Sequence, residues 1–251
     1  MSVSIITPAL NAELTLSATI ESIRSQSFSD WELLIVDDGS TDHTLRVATD
    51  WARADSRIRV IPQRNRGVAE ARNVGLSFAR RRYLAFLDSD DLWLPEKLDR
   101  QLQFMKSKGA AFSYTAYRKF WTDPHRIGPI VSVPSAVDYK ALLRSRPIAC
   151  LTVVIDRDLV GEVRMPQLPS GSGIPEDLVT WLDILRRGLI AYGLNQDLAR
   201  YRVAKGSRSY GKLKAAQNVW KVYREHENLG IPAAAWYFSN YVIRAFVESR
   251  L

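Results

Sequence analysis

The segment "YLAFLDSDDLW", Tyr83 to Trp93, brings Asp88, Asp90 and Asp91 together behind a run of apolar and aromatic residues. Carboxylates this close repel one another unless a positive charge sits among them. Hard oxygen ligands suit Mg²⁺ or Mn²⁺, ions that proteins commonly share with substrate phosphates. Trp93 and Pro95 directly after the cluster favour an ordered site over a solvated acidic turn. A second acidic pair, Asp37 and Asp38, follows the apolar run of "LLIVDDGSTD". Gly39 and Ser40 supply a turn there, and Ser40 or Thr41 can cap the next helix. A cap accounts for one carboxylate at most, and the other can accept the N3–H of a uracil ring.

Two further stretches carry chemistry beside an ordinary alternative. "NRGVAEARNVGL" reads either as an amphipathic helix with Arg72 solvated, or as a loop whose Gly67 lets a nucleotide approach while Arg72 stands near phosphates or the aspartates. Glu176 and Asp177 start a helix after the small-residue loop of "QLPSGSGIPEDLVTW". Acidic residues are common in a first helical turn because of the macrodipole, so this pair alone is not diagnostic.

These residues need a scaffold, and the first half supplies one. Short β-branched runs at Val3–Ile6, Leu33–Val36, Ile58–Ile61 and Tyr83–Leu87 alternate with helical patterns at Leu14–Ser25, Thr44–Ala54 and Val68–Ala79. Apolar strands separated by helices imply βαβ units and a mostly parallel sheet covered on both faces. Ligands of such sheets bind beyond the carboxyl ends of the strands, where Thr7-Pro8, Asp37-Asp38 and the aspartate cluster all fall. Farther on, strands are expected at Ala111–Tyr114 and Thr152–Ile155 around a Pro- and Gly-containing excursion from Thr122 to Pro134. A helix begins near Pro175, short strands follow at Ile190–Leu194 and Ala199–Val203, and two aromatic-rich helices close the chain.

Composition narrows the partners. The chain has 251 residues and a net charge of +8, which favours an anionic partner: nucleic acid, an anionic membrane surface or a phosphorylated substrate. No recognition helix, zinc motif or RNA-binding motif supports nucleic acid, and acidic strand ends would repel its phosphates. The single cysteine, Cys150, rules out an intrachain disulfide, suits a reducing compartment and reads as a small buried hydrophobe. No run approaches the roughly 18 apolar residues of a membrane span, and no signal peptide is visible. His43, His125 and His226 read as surface or packing residues.

In order, "VSIITPALN", "LLIVDDGSTD", "NRGVAEARNVGL", "YLAFLDSDDLW" and "PEDLVTWL" resemble the family 2 glycosyltransferases of the GT-A fold, especially bacterial enzymes of teichuronic-acid and O-antigen type. No single element is specific; their order is. The resemblance implies an α/β GT-A domain over residues 1–210 and a helical C-terminal extension over 211–251, packed on the domain or on a membrane surface. It implies an inverting, metal-dependent hexosyltransferase using Mn²⁺ or Mg²⁺. Thr7, Pro8 and Ala9 would line the nucleotide pocket, with Asp38 meeting the base and Asp37 behind it. Gly67, Arg72, Asp88 and Ser89 would lie on the donor, with Asp90 and Asp88 holding the ion. Asp177 would be the catalytic base, with Glu176 and Trp93 toward the acceptor. Arg202 and Lys205 in "YRVAKGSRS" would contact phosphates; a histidine that ligates metal there in some relatives is absent from this segment.

The implied partners are a nucleotide sugar, with UDP the expected nucleotide, and a saccharide or polyprenyl-diphosphate-sugar acceptor. A cytoplasmic enzyme, peripheral on the inner face of the cell membrane, would meet both, and a homo-oligomer is compatible. A nucleotidyltransferase would more often show a glycine-rich basic loop where this chain has "TPALNAE". A sugar-nucleotide-binding protein without activity is opposed by the retention of both the aspartate cluster and Asp177.

Overall fold

A computed structural model describes residues 1–121, 126–169, 172–203 and 212–248. Strands β1 (Val3–Ala9), β2 (Trp31–Asp37), β3 (Ile58–Pro62) and β4 (Tyr83–Phe86) alternate with helices α1 (Leu16–Arg24), α2 (Thr44–Ala54) and α3 (Val68–Phe78). All four strands run parallel in the order β3-β2-β1-β4, with Ala9 level with Asp37 at their carboxyl ends. Every residue of β1 is buried, as a sheet covered on both faces requires. Alternation divides the core: Ile5, Leu33 and Ala85 join one layer, and Ile6, Leu34 and Phe86 the other.

The second half departs from the expected parallel pattern. After the short β5 (Leu92–Trp93) comes α4 (Lys97–Lys108), a helix not among those expected from sequence. It buries Leu98, Gln101, Leu102 and Met105 at helical spacing and ends on the left-handed Gly109. Next are β6 (Phe112–Phe120), β7 (Ile127–Val131), β8 (Ala136–Val137), α5 (Tyr139–Arg144), β9 (Val154–Asp156) and α6 (Arg157–Val160). β7, which pairs with β6, occupies part of the anticipated loop excursion. β9 wedges antiparallel between β4 and β6, so the whole sheet is mixed. The two short strands anticipated between 190 and 203 are one strand, β10 (Ala191–Arg202), which follows α7 (Glu176–Arg186). Register shifts around Asp197 let β10 bend along β6 without breaking.

The chain closes with α8 (Lys212–Lys221), a π-helical turn over Val222–His226 and α9 (Ile231–Glu248). Val219, Val222, Tyr223 and Ala234 are buried in the same core cluster as Trp181 of α7. The aromatics of the extension divide: Tyr237, Phe238 and Tyr241 pack inward, whereas Trp236 is 53% exposed. No helix among the described residues is long and apolar enough to cross a membrane.

Candidate active site

The carboxyl ends of β1, β2 and β4 meet at one rim of the sheet, because parallel strands end together. Thr7, Pro8 and Ala9 form its buried floor, and Thr7 Oγ1 is buried without a hydrogen-bond partner among the described residues. Asp38 accepts from Gln63 Nε2 at 2.6 Å, Arg66 N at 2.8 Å and Gly67 N at 2.9 Å. Both of its oxygens thus tie down the β3–α3 loop. The Asp37 side chain accepts a long bond from Ser40 N (3.3 Å), and its Oδ1 is buried with no partner among the described residues. Asp38 Oδ2, which accepts one bond, also keeps a lone pair, so each of the two aspartates retains acceptor capacity. Gly67 has φ 88°, which favours glycine, and Gly39 has φ 76° with Asn65 N 2.7 Å from where a Cβ would sit.

The aspartate cluster lies at the end of β4. Ser89 and Asp90 form a partly exposed turn, and Asp91 is 1% exposed. Arg202, at the end of β10, meets the cluster from across the sheet: its backbone N–H donates to Asp91 Oδ1 and its Nε to the Asp90 carbonyl, each at 2.7 Å. Burial, then repulsion from Asp88, raises the Asp90 pKa against the pull of Arg202. Burial and its two neighbours push Asp91 well above the usual carboxylate range. Lys205 lies outside the described residues.

Arg72 resolves the ambiguity of its helix. Its side chain is 3% exposed; Nη2 donates to Asp88 Oδ1 at 2.6 Å and Nη1 to Glu176 Oε1 at 2.7 Å. Burial disfavours its charge, but Asp88, Cys150, Glu176 and Asp177 outweigh that and raise its pKa. A guanidinium so engaged positions carboxylates and is not available to a donor phosphate. The same bridge withdraws Glu176 from the acceptor side, since its side chain is 8% exposed and held by Arg72. Trp93 is also corrected: it is 2% exposed, donates Nε1–H to the Leu151 carbonyl at 2.8 Å and lies under the Lys97 ammonium, out of an acceptor's reach.

Asp177, next to Glu176, has its pKa raised by burial and by Glu176, against Arg146, Arg72 and the Leu178 N–H. A carboxylate poised upward in this way is a better proton acceptor at neutral pH. Arg146, between α5 and the turn at Cys150–Thr152, escaped the sequence reading because "RSRPIAC" carries no motif; only the fold brings its charge toward Asp177.

The model of Glycosyl transferase family 2 matches residues 4–152. The chain is also 42% identical over 250 residues to a teichuronic acid biosynthesis glycosyltransferase, TuaG, of Bacillus subtilis (strain 168), covering 99% of this chain and 97% of TuaG. This chain belongs to glycosyl transferase family 2. It is 35% identical over 243 residues, 96% of this chain and 92% of the relative, to the UDP-Glc:alpha-D-GlcNAc-diphosphoundecaprenol beta-1,3-glucosyltransferase WfgD of Escherichia coli. Among solved structures, S. aureus TarS in complex with UDP-GlcNAc aligns with a TM-score of 0.70 at 19% identity, over 98% of this chain and 73% of that one. The mannosyltransferase PcManGT from Pyrobaculum calidifontis, in complex with GDP-Man and Mn²⁺, aligns with a TM-score of 0.72 at 19% identity, over 94% and 69%. These two likenesses establish a glycosyltransferase fold; at such identity they do not assign a substrate.

Proposed function

We propose that this glycosyltransferase moves a hexose from a UDP-linked donor to a polyprenyl-diphosphate-linked saccharide, with inversion and with a divalent cation. One observation carries the reading: buried Arg72 ties Asp88 of the aspartate cluster to Glu176, the neighbour of Asp177. Donor-side carboxylates and the base thus belong to one rigid unit, which suits a direct displacement between two bound substrates. The names of WfgD and TuaG support the donor, the lipid-diphosphate acceptor and a role in surface polysaccharide synthesis.

The residues fit a metal. Asp90 receives no side-chain hydrogen bond from another of the described residues, and burial and then the Asp88 charge raise its pKa, a cost that a cation would relieve. Asp90 and Asp88 would hold Mn²⁺ or Mg²⁺, which when bound would neutralise charge on the departing diphosphate. Asp37 or Asp38 accepts from the base, and Thr7, Pro8 and Ala9 floor the pocket beneath it. Arg202 keeps the aspartate turn closed. Asp177 takes the proton of an acceptor hydroxyl as that oxygen bonds to the anomeric carbon. The bond from that carbon to the diphosphate oxygen breaks in the same displacement, releasing UDP, so an α-linked donor yields a β-glycoside.

A lipid-linked acceptor would be met at a membrane surface, on its cytoplasmic side. On the outer face of α9, Ile231 is 64%, Trp236 53%, Val242 43% and Ile243 63% exposed. Residues 231–243 contain no charge, so this face suits the apolar edge of a lipid interface. The chemistry is tested with labelled nucleotide sugars, a polyprenyl-diphosphate GlcNAc acceptor and product NMR. A β-linked product, made only with metal and lost in Asp90→Ala, is expected. An α-linked product from an α-linked donor, or unchanged turnover in chelator, would refute inversion or metal dependence respectively.

A further inference from the structure

Away from the rim of the sheet, the last turns of α7 and the π-helical turn bring Asp183, His226 and Glu227 together, with one ligand atom of each within 4.8 Å of the others. We infer that these three residues bind a Zn²⁺-type cation that fastens the C-terminal extension to the helix carrying Asp177. His226 Nε2 lies 3.4 Å from Asp183 Oδ1 and 3.9 Å from Glu227 Oε1. Ligands about 2.0–2.2 Å from a tetrahedral zinc stand roughly 3.4 Å apart, so a small side-chain rotation completes three corners and leaves one for water.

Charge and burial supply a second, independent reason. The Glu227 side chain is fully buried. Its Oε2 accepts from Tyr139 Oη and from Arg186 Nη2 at 2.6 Å, yet its Oε1 has no hydrogen-bond partner among the described residues. A buried carboxylate oxygen without a partner is costly. Arg186 also donates to Asp183 Oδ1 at 3.1 Å, so one guanidinium is shared between the two carboxylates. His226 Nε2 is within hydrogen-bond reach of Asp183 Oδ1, and Glu227 Oε1 lies 3.9 Å from the same nitrogen. One imidazole nitrogen and two carboxylate oxygens are a donor set that zinc accepts readily. The π-helical turn is what sets His226 and Glu227 together against α7, and such turns recur at functional sites. Asp183 follows Asp177 by less than two turns on α7, so a cation here stiffens the base's own helix.

The test uses full-length protein carrying Asp90→Ala, which removes the donor-site ligand, with Co²⁺ as a spectroscopic stand-in for Zn²⁺. Equilibrium dialysis should find about one Co²⁺ per chain, with the intense visible absorption of a tetrahedral ion. Adding His226→Ala should abolish that absorption while circular dichroism stays unchanged. Asp183→Asn, a milder change at a side chain 38% exposed, should weaken binding at least tenfold and guards against a misfolded histidine variant. Zn²⁺ should raise the melting temperature only when His226 is present. Co²⁺ uptake and spectra that ignore both substitutions overturn the proposal. So does an absence of uptake, which would leave His226 as a hydrogen-bond partner of Asp183.

Discussion

Replacing Arg72 with Met keeps most of the side-chain volume and removes the charge that joins Asp88 to Glu176. Arg72 and Glu176 are almost fully buried, whereas the Asp88 side chain is 34% exposed and can be rehydrated. The damage therefore concentrates on Glu176. Removing one partner of a buried ion pair costs about 3–5 kcal/mol. At roughly 2 °C per kcal/mol for a chain of this size, melting should fall by about 6–10 °C. Without Arg72, burial disfavours the charged form of the Glu176 carboxyl. A raised carboxyl pKa penalises the folded state fully above the folded value and not at all below the unfolded one. The deficit of Arg72→Met should therefore shrink as pH falls from about 8 toward about 4.5. Glu176→Gln added to Arg72→Met should restore at least about half of the loss, because the buried charge is gone. Urea unfolding followed by tryptophan fluorescence, with Trp181 fully buried as reporter, measures all three. A loss below about 1 kcal/mol, or one that does not change with pH, would refute the assignment of Arg72 as the clamp.

Asp177→Asn should lower turnover on the order of a hundredfold or more while UDP binding by calorimetry is unchanged. Because the Asp177 pKa is raised, kcat/KM in the wild type should climb with pH through that raised value as the base loses its proton; a flat acidic limb would remove it from the mechanism. UDP affinity should rise with Mn²⁺ in the wild type and not in Asp90→Ala; equal affinity with and without the ion would refute the cluster as its site. Trp236→Ser with Ile243→Ser alters only exposed side chains and should leave melting unchanged while cutting flotation with anionic vesicles several-fold. Undiminished flotation would release α9 from that role, and a change in oligomeric state without one in flotation would assign its outer face to a second copy.

Local pattern determined the first four strands, their helices and the acidic positions at their ends. Periods of 2 and 3.6 and the turn chemistry of Gly39 and Gly67 are properties of adjacent residues, so a chain can be read for them directly. The same reading split β10 in two, because Asn195, Gln196 and Asp197 look like a turn when nothing shows that β6 lies alongside. It passed over α4, whose buried face mixes Gln101 with leucines. At the site, sequence supplied the residue types and tertiary structure supplied their partners. Arg72 and Glu176 are 104 residues apart, and only the fold makes them one ion pair. That contact turns an expected donor ligand and an expected acceptor residue into a clamp, and burial likewise takes Trp93 from the acceptor into the core. A side chain's charge is written in the sequence, whereas its solvation and counter-charge depend on which distant segments pack against it.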